Sequence, residues 1–565
     1  MDLSITNFSC FDSYMSMAYD NNELYLKSLH GVSKGNMKSL KFIPCYNGNA
    51  IPYKYTADEN LIRIKTAYGN IDICFFDSSR IIVEGIGKGL GVMLDSMPLY
   101  NFEYNYMLGT REHHYVIVNS YKNLSKYMVY LLDGTIELFQ DINYDSSGST
   151  EKTNSISIIK ITSLEENTFK FIIEDIPTHN TIPNYNKDYD FTKALYNSRK
   201  NFEEFSATFT LHKSEYSTAL KNALYILWSS TVGPLGNLKH SAVYASINNF
   251  PGVWSWDHAF IAIGLSKINP KFAFEQIKLV FEHQDAFGQL PGSISDSTIR
   301  WNFCKPPVHG YLLSRIIKDL NLSVEELSDV YRWITKQVRY YIQYKDSNND
   351  GIFEYFHGND SGQDNSSIFR YQIPIDSPDL TAYIIKSMDF LADISENLEN
   401  GESDYLKALS QKTLDCFLKY FFVDDRPVVK ESLNGQIIEN RSIMPYISII
   451  LGNKLPPNIL KNILYDIKEY YITDYGISTE ALNSPFYEDD AYWRGPIWAP
   501  STYLIVEGLK DCGENSLAAH LAEKFCNMVK ENGFAENFNA KTGKGLRDKS
   551  FCWTASIFIK YLSEL

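Results

Sequence analysis

The chain has 565 residues, is 44% hydrophobic and 21% charged, and carries a formal net charge of −15. This is ordinary globular composition, long enough for two to four domains of roughly 100–200 residues. It lacks the dense Lys/Arg stripe that a nucleic-acid partner requires, and no apolar run approaches the ~20 residues that span a bilayer. No basic, then apolar, leader is read between Met1 and Gly31. The 8 Cys are scattered without paired spacing, so reduced thiols in a cytoplasm are expected. Aromatic residues reach 14%, enough for a core and also for the stacking faces of a carbohydrate cleft. The expected partner is a small carbohydrate, with neither nucleic acid nor membrane involved.

Residues 1–190 read as an antiparallel β-sandwich, from short alternating runs separated by turn residues. Asp133-Gly134 lies between the strand-like runs Tyr127–Leu132 and Thr135–Phe139, which predicts a hairpin. Ile-rich runs at Ser155–Thr162 and Thr168–Ile176 continue the pattern. Pro177–Arg199, rich in Asn, Asp, Tyr and Pro, looks like a linker, and residues 191–214 are taken as the linker between the two domains. From 215 to 565 the period becomes helical. Leu220, Ala223, Leu224, Leu227 and Trp228 share one face. Ser377-Pro378 predicts an N-cap and first helical residue, followed by the stripe Leu380, Ile384, Met388, Leu391. Leu517, Leu521, Phe525 and Met528 form another stripe. Some 350 residues can hold about a dozen helices of average length with generous loops.

Those loops carry the chemistry. Phe250–His258, Asp285–Gly292, His357–Ser366 and Tyr492–Trp498 each mix Gly or Pro with Trp, Asp, Asn or Arg. Gly permits close backbone approach, Trp offers a stacking face, and Asp, Asn and Arg bind hydroxyls. The residues His357-Gly-Asn-Asp-Ser-Gly-Gln-Asp-Asn-Ser366 and Tyr492-Trp-Arg-Gly-Pro-Ile-Trp498 resemble the signature segments of glycoside hydrolase family 63. They are also similar to those of the related bacterial mannosylglycerate and glucosylglycerate hydrolases. Trp254-Ser-Trp-Asp257, Lys305-Pro-Pro-Val308 and Ala535–Gly545 extend the resemblance over about residues 215–565.

The resemblance implies an (α/α)6 barrel preceded by a β-sandwich, and inverting hydrolysis of an α-glycoside. It implies Asp364 as general acid and Glu536 as general base. Inversion needs two carboxyls about 6.5–9.5 Å apart, with room for the attacking water. Asp360 is expected to lend its charge to the proton on Asp364. Glu480 and Glu531 compete with Glu536 for the base role. Trp254, Trp256, Trp493, Trp498 and Trp553 are expected as stacking platforms. Asp257, Gln289, Lys305, His357, Asn365, Tyr492 and Arg494 are expected around the sugar, with an internal Asp257–Arg494 or Asp257–Lys305 ion pair as the competing reading. Gln363 and Asn539-Ala540 depart from the family pattern beside the acid and the base. Scattered His residues give no zinc spacing.

Asp346-Ser-Asn-Asn-Asp-Gly351 fits the opening of a calcium loop, with Asp346, Asn348 and Asp350 as ligands, but its twelfth position is His357 rather than Glu. An Asx-rich turn is the competing reading. No cofactor is otherwise required. A phosphorylase, an uronate lyase and a non-catalytic sugar-binding protein are the rival classes. The expected substrate is a small α-glucoside cleaved in the exo mode. The alternative is a glycosyl glycerate, whose carboxylate would need Lys305, Arg300 or Arg370.

Overall fold

The computed structural model describes every residue except 32–36, 101–102, 104, 110–113, 142–154, 165–166, 181–188, 208, 211–212 and 371–372. The described strands that precede the first helix are β1 (Met15–Asp20), β2 (Glu23–Ser28), β3 (Lys38–Tyr46), β4 (Asn49–Ala50), β5 (Lys54–Ala57), β6 (Ile62–Thr66), β7 (Gly69–Asp77), β8 (Arg80–Ile86), β9 (Leu90–Asp95), β10 (Tyr106–Gly109), β11 (His114–Ser120), β12 (Ser125–Asp133), β13 (Thr135–Asp141), β14 (Ile156–Thr162) and β15 (Thr168–Asp175). Alternation decides their faces. In β6, Ile62 and Ile64 are buried while Arg63 and Lys65 reach solvent. One sheet runs β1-β2-β3-β9-β14-β13 with β4 added to β3, and the other runs β10-β11-β12-β15-β8-β7-β6-β5. Consecutive strands β8 and β9, β12 and β13, and β14 and β15 fall in different sheets.

The expected hairpin at Asp133-Gly134 is therefore not formed. Strand β12 pairs with β11 and β15, whereas β13 pairs with β14. The reason lies in β12 itself. Tyr127, Met128, Val129 and Tyr130 are all fully buried, so both faces are covered and both edges paired. Gly134 carries the chain across at φ +100°, where a Cβ would stand 2.5 Å from the Thr162 carbonyl oxygen.

The expected linker at 191–214 is also corrected. Phe191–Ser206 is helix α1, capped by the Asp190 side chain, which accepts from the Lys193 N–H. Its buried residues Phe191 and Ala194 join Met128, Tyr130, Ile172 and Ile82 in one apolar cluster on the second sheet. Nor does the chain divide at one point near 215. Residues Tyr225–Gly252 and Ser295–Thr298 belong to the first compact unit with Met1–Ala207, and the remainder forms the second.

Helices α2 (Ser217–Ser229), α3 (Ser255–Leu265), α4 (Pro270–Phe281), α5 (His309–Leu320), α6 (Val324–Tyr344), α7 (Pro378–Asn397), α8 (Ser403–Tyr420), α9 (Pro457–Asp466), α10 (Ala499–Asp511), α11 (Asn515–Asn532) and α12 (Cys552–Leu562) follow, with a 3₁₀ segment at Met444–Lys454. Helices α3 and α12 are buried at every residue. That suits their apolar surface on all sides. In contrast, α6 buries Val330, Trp333, Ile334, Gln337, Val338 and Tyr341, a single stripe. Buried and striped helices alternate along the chain. The buried ones pack in a closed circuit: α3 on α5, α5 on α7, α7 on Met444–Lys454, that segment on α10, α10 on α12, and α12 on α3. Helices α4, α6, α8, α9 and α11 each pack against members of this circuit.

Glycine sets the spacing at three joints of this circuit. A Cβ on Gly264 would stand 2.5 Å from the Ser556 Cα, one on Gly310 2.7 Å from the Ser387 Cα, and one on Gly508 2.5 Å from the Ile449 Cγ2. The stripe Leu380, Ile384, Met388 and Leu391 is fully buried in α7. Ser377 stands at the N-cap as expected, but its hydroxyl donates to the Asp379 carboxylate and caps no backbone N–H. In α11, Leu521, Phe525 and Met528 are buried and Leu517 is half-buried. Among the described residues no helix is long and apolar enough to cross a membrane.

Candidate active site

Two-residue strands bring the expected loops to the N-terminal ends of the buried helices. Val253–Trp254 runs into α3 and pairs with Ser293–Ile294. Ile497–Trp498 runs into α10 and pairs with Asn537–Phe538, so Trp498 lies opposite Asn537 and beside Glu536. Asn537–Phe538 also pairs with Gly545–Leu546. That hairpin returns the chain so that the Glu536 N–H donates to the Asp548 carbonyl at 2.7 Å.

The loop bearing Asp364 is built by its own small residues. A Cβ on Gly358 would stand 2.1 Å from the Asp364 carbonyl oxygen, and one on Gly362, at φ +72°, 2.6 Å from the Trp256 ring. Both glycines of the motif are thus contact points. The Ser361 hydroxyl donates to the Gly358 carbonyl at 2.7 Å and accepts from the Gln363 N–H at 3.0 Å. Ser366 meets the Ser442 hydroxyl at 2.8 Å. Asp360 forms a buried ion pair with Lys345, 3.1 Å. Its charge is compensated there, so it does not act on Asp364 as the expected lone neighbouring charge.

Asp364 is one-third exposed and accepts from the buried Lys305 ammonium at 3.3 Å. Asp257, on the first turn of α3, is buried within electrostatic range of Lys305, Glu536 and Asp364. Burial holds its carboxyl well above the usual range, opposed by Lys305 and reinforced by the two neighbouring carboxylates. Glu536 is buried, with the Tyr492 hydroxyl and the Asp548 N–H as hydrogen-bonding influences on its carboxylate. Desolvation, followed by the Asp548 charge, raises its pKa to about 7, with the two hydrogen bonds and Arg547 opposing. The Tyr492 phenol is pushed far up by burial and by the Glu536 and Asp364 charges. Three carboxyls, one ammonium and one phenol therefore share a cluster.

The indoles divide. Trp493 and Trp498 stack on each other, centroids 3.7 Å apart, and both are fully buried. Each covers a face of the other, and the Trp498 Nε1 donates to the Tyr492 carbonyl at 2.9 Å. Trp256 lies between Trp493 and Trp553, at 5.9 and 5.7 Å. The Trp553 Nε1 donates to the Glu536 carbonyl at 3.3 Å. Half-buried Trp254, 5.9 Å from the Lys305 ammonium, keeps the most open position of the five.

Other expected residues are engaged elsewhere. The Gln289 amide donates to the Trp301 carbonyl and accepts from the Tyr340 hydroxyl, both at 3.3 Å. His357 is exposed and accepts the Asn359 N–H at 3.0 Å, as an N-cap. Arg494 pairs with Glu488 at 3.0 Å, not with Asp257. The Asn365 amide spans Ala491 and Trp493. Of the competing bases, Glu480 accepts from Ser367 at 2.7 Å and Ser484 at 2.6 Å, and Glu531 is exposed on α11.

Asp548 is a neighbour of the base that sequence reasoning does not single out. The Thr542-Gly543 turn after Glu536 is the sequence signal that returns it to the base. The Asp346 carboxylate accepts the Asp350 and Gly351 N–H groups at 3.0 Å, and the Asn348 amide donates to Asp350 at 2.9 Å. Asx turns complete the loop: Asn348 accepts the Asp350 N–H at 3.1 Å and Asp350 the Ile352 N–H at 2.8 Å. Among the described residues, no cluster of three or more His, Cys, Asp or Glu side chains is disposed to hold a metal ion.

The model of the mannosylglycerate hydrolase MGH1-like glycoside hydrolase domain matches residues 250–554, more than half of the chain. Mannosylglycerate hydrolase MGH2 of Selaginella moellendorffii is 21% identical over 395 residues, 55% of this chain and 80% of that protein. The structure of a GH63 mannosylglycerate hydrolase from Thermus thermophilus, in complex with Tris and D-glycerate, superposes with a TM-score of 0.55. It has 16% identity and covers 60% of this chain and 98% of that one. A bacterial glucoamylase complexed with acarbose superposes with a TM-score of 0.62 at 11% identity, over 100% of this chain and 94% of that one. At such identities the superpositions establish shared fold: sheets followed by a helical region.

Proposed function

The chain belongs to the mannosylglycerate hydrolase MGH1-like glycoside hydrolases, and from that premise we propose that it hydrolyses a small α-glycoside by inversion at the cluster around Asp364 and Glu536. The observation that carries this reading is the convergence of Asp364, Glu536, Asp257, Lys305 and Tyr492, with the half-buried indole of Trp254 5.9 Å from the Lys305 ammonium. Asp364, the more exposed carboxyl, protonates the departing glycosidic oxygen. Glu536, buried and ionising at about pH 7, takes a proton from the water that attacks the anomeric carbon from the opposite face. The C–O bond to the aglycone breaks as the bond to water forms, and a β-anomer is released. The ionised Glu536 carboxylate favours the positive charge that develops on the sugar ring. A carboxylate at that position, where phosphate would have to bind, argues against phosphorolysis.

We read the closed circuit of buried helices, each followed or preceded by an outer one, as an (α/α)6 barrel, and the two sheets that exchange consecutive strands as a sandwich. The eight cysteines are free thiols, which fits a reducing cytoplasm. A small α-glucoside cleaved in the exo mode is the leading substrate. A glycosyl glycerate is the second reading, favoured by the Lys305 ammonium beside the acid and by the substrates named for the relatives. Incubation with α-linked disaccharides, mannosylglycerate and glucosylglycerate, followed by proton NMR, decides between them. Release of free sugar from one class is expected, and sugar 1-phosphate formed only with added phosphate would overturn hydrolysis.

A further inference from the structure

Two residues expected at the sugar are disposed for a different task. The Asn365 side chain donates from Nδ2 to the Ala491 carbonyl at 2.8 Å and accepts the Trp493 N–H on Oδ1 at 2.9 Å. It thus grips the chain on both sides of Tyr492. Tyr492 lies at φ +64°, a left-handed conformation that is costly for a bulky L-residue and persists only when neighbours over-determine it. The Trp498 Nε1, on the Tyr492 carbonyl, is the third tie. The Tyr492 ring packs edge-on to Trp498 at 4.8 Å, and Trp498 pairs with Asn537, next to Glu536; the phenol so aimed bears on the Glu536 carboxylate. Asn365 directly follows Asp364.

We propose that Asn365 and Tyr492 are positioning residues: Asn365 locks the Tyr492 backbone so that the phenol holds the Glu536 carboxylate in its base orientation, tying the acid loop to the base. This rests on the reading of Glu536 as the base. Its own burial and the Asp548 charge push the Glu536 pKa up, and Tyr492, the Asp548 N–H and Arg547 pull it down. Asp257, Asp364 and Lys305 complete the surrounding charges. Removing the phenolic hydrogen bond takes away one of the contacts that favour the ionised base.

The test is the pH dependence of kcat/KM for Tyr492→Phe, Asn365→Ala and the double variant. Each single variant is expected to move the acid limb upward by about one pH unit, a roughly tenfold deficit at pH 6 that shrinks by pH 9. The double variant is expected to move it no further than Tyr492→Phe, because one residue acts through the other. An Asn365→Ala profile with an unmoved limb and a raised KM would overturn the proposal and assign Asn365 to the sugar. Additive shifts would overturn it as well. If Tyr492→Phe fails to fold, Asn365→Ala, altered at an exposed side chain, decides the matter alone. Glu536→Gln separates the two levels: full activity there retires the base assignment, whereas loss there with unmoved limbs in the other variants retires only the relay.

Discussion

Replacing Glu536 by Gln is expected to abolish turnover and to raise stability at alkaline pH. The carboxyl is buried, and its pKa moves from the ordinary 4.5 to about 7 on folding. A raised carboxyl pKa contributes stability that is present below 4.5 and lost as pH rises through 7, because the folded state then holds an ionised group that the unfolded chain accommodates more easily. Moving a carboxyl from 4.5 to about 7 corresponds to about 3 kcal/mol at pH 8 and above. Gln carries no charge, so it escapes this cost and retains an oxygen to accept from Tyr492. Urea denaturation of both proteins between pH 4.5 and 8.5 reads the effect as a stability difference that opens with pH in favour of Glu536→Gln, with a midpoint between 4.5 and 7. The kcat/KM of the wild type should fall below pH 7 over the same titration. A stability difference constant across that range would refute the account of this carboxyl.

Asp364→Asn is expected to lower kcat by about 10²–10⁴-fold on a sugar aglycone. An aryl glycoside, whose phenolate leaves without a proton, should recover most of the loss, and equal losses on both substrates would contradict the acid role. Gly264→Ala should lower the thermal midpoint, with a cost of roughly 1–3 kcal/mol from overpacking against Ser556. An exposed helical glycine would show the opposite sign, so a raised midpoint would remove the glycine joint from the helical circuit. The Asp346–Gly351 turn is satisfied by its own N–H groups. Chelator should therefore leave the thermal midpoint within about 1 °C; a fall of several degrees, restored by calcium, would make the loop a metal site.

The helical half was legible because its stripes are local. Leu380, Ile384, Met388 and Leu391 repeat at the helical period, and all are buried. Helix α1 was obscured because its outer face is Asn-, Lys- and Glu-rich and only Phe191, Ala194 and Phe202 turn inward; the Asp190 cap was the available sign. Asp133-Gly134 has hairpin chemistry, yet the partner of β12 was decided by burial on both its faces, a property of the assembled sheets. At the site, the motif glycines 358 and 362 pointed to close approach, and the structure supplies Asp364 and Trp256 as what they approach. The Trp493–Trp498 stack was not readable, since a buried indole and a sugar platform have the same sequence. Asp548 reaches Glu536 only through the Asn537–Phe538 and Gly545–Leu546 pairing.

The most direct test of two carboxyls acting across one sugar is the configuration of the sugar at the instant of release. Proton NMR during hydrolysis, recorded before mutarotation equilibrates the anomers, should show the β-anomer first and the α-anomer growing in later. An α-anomer as first product would contradict inversion, and with it the paired roles of Asp364 and Glu536.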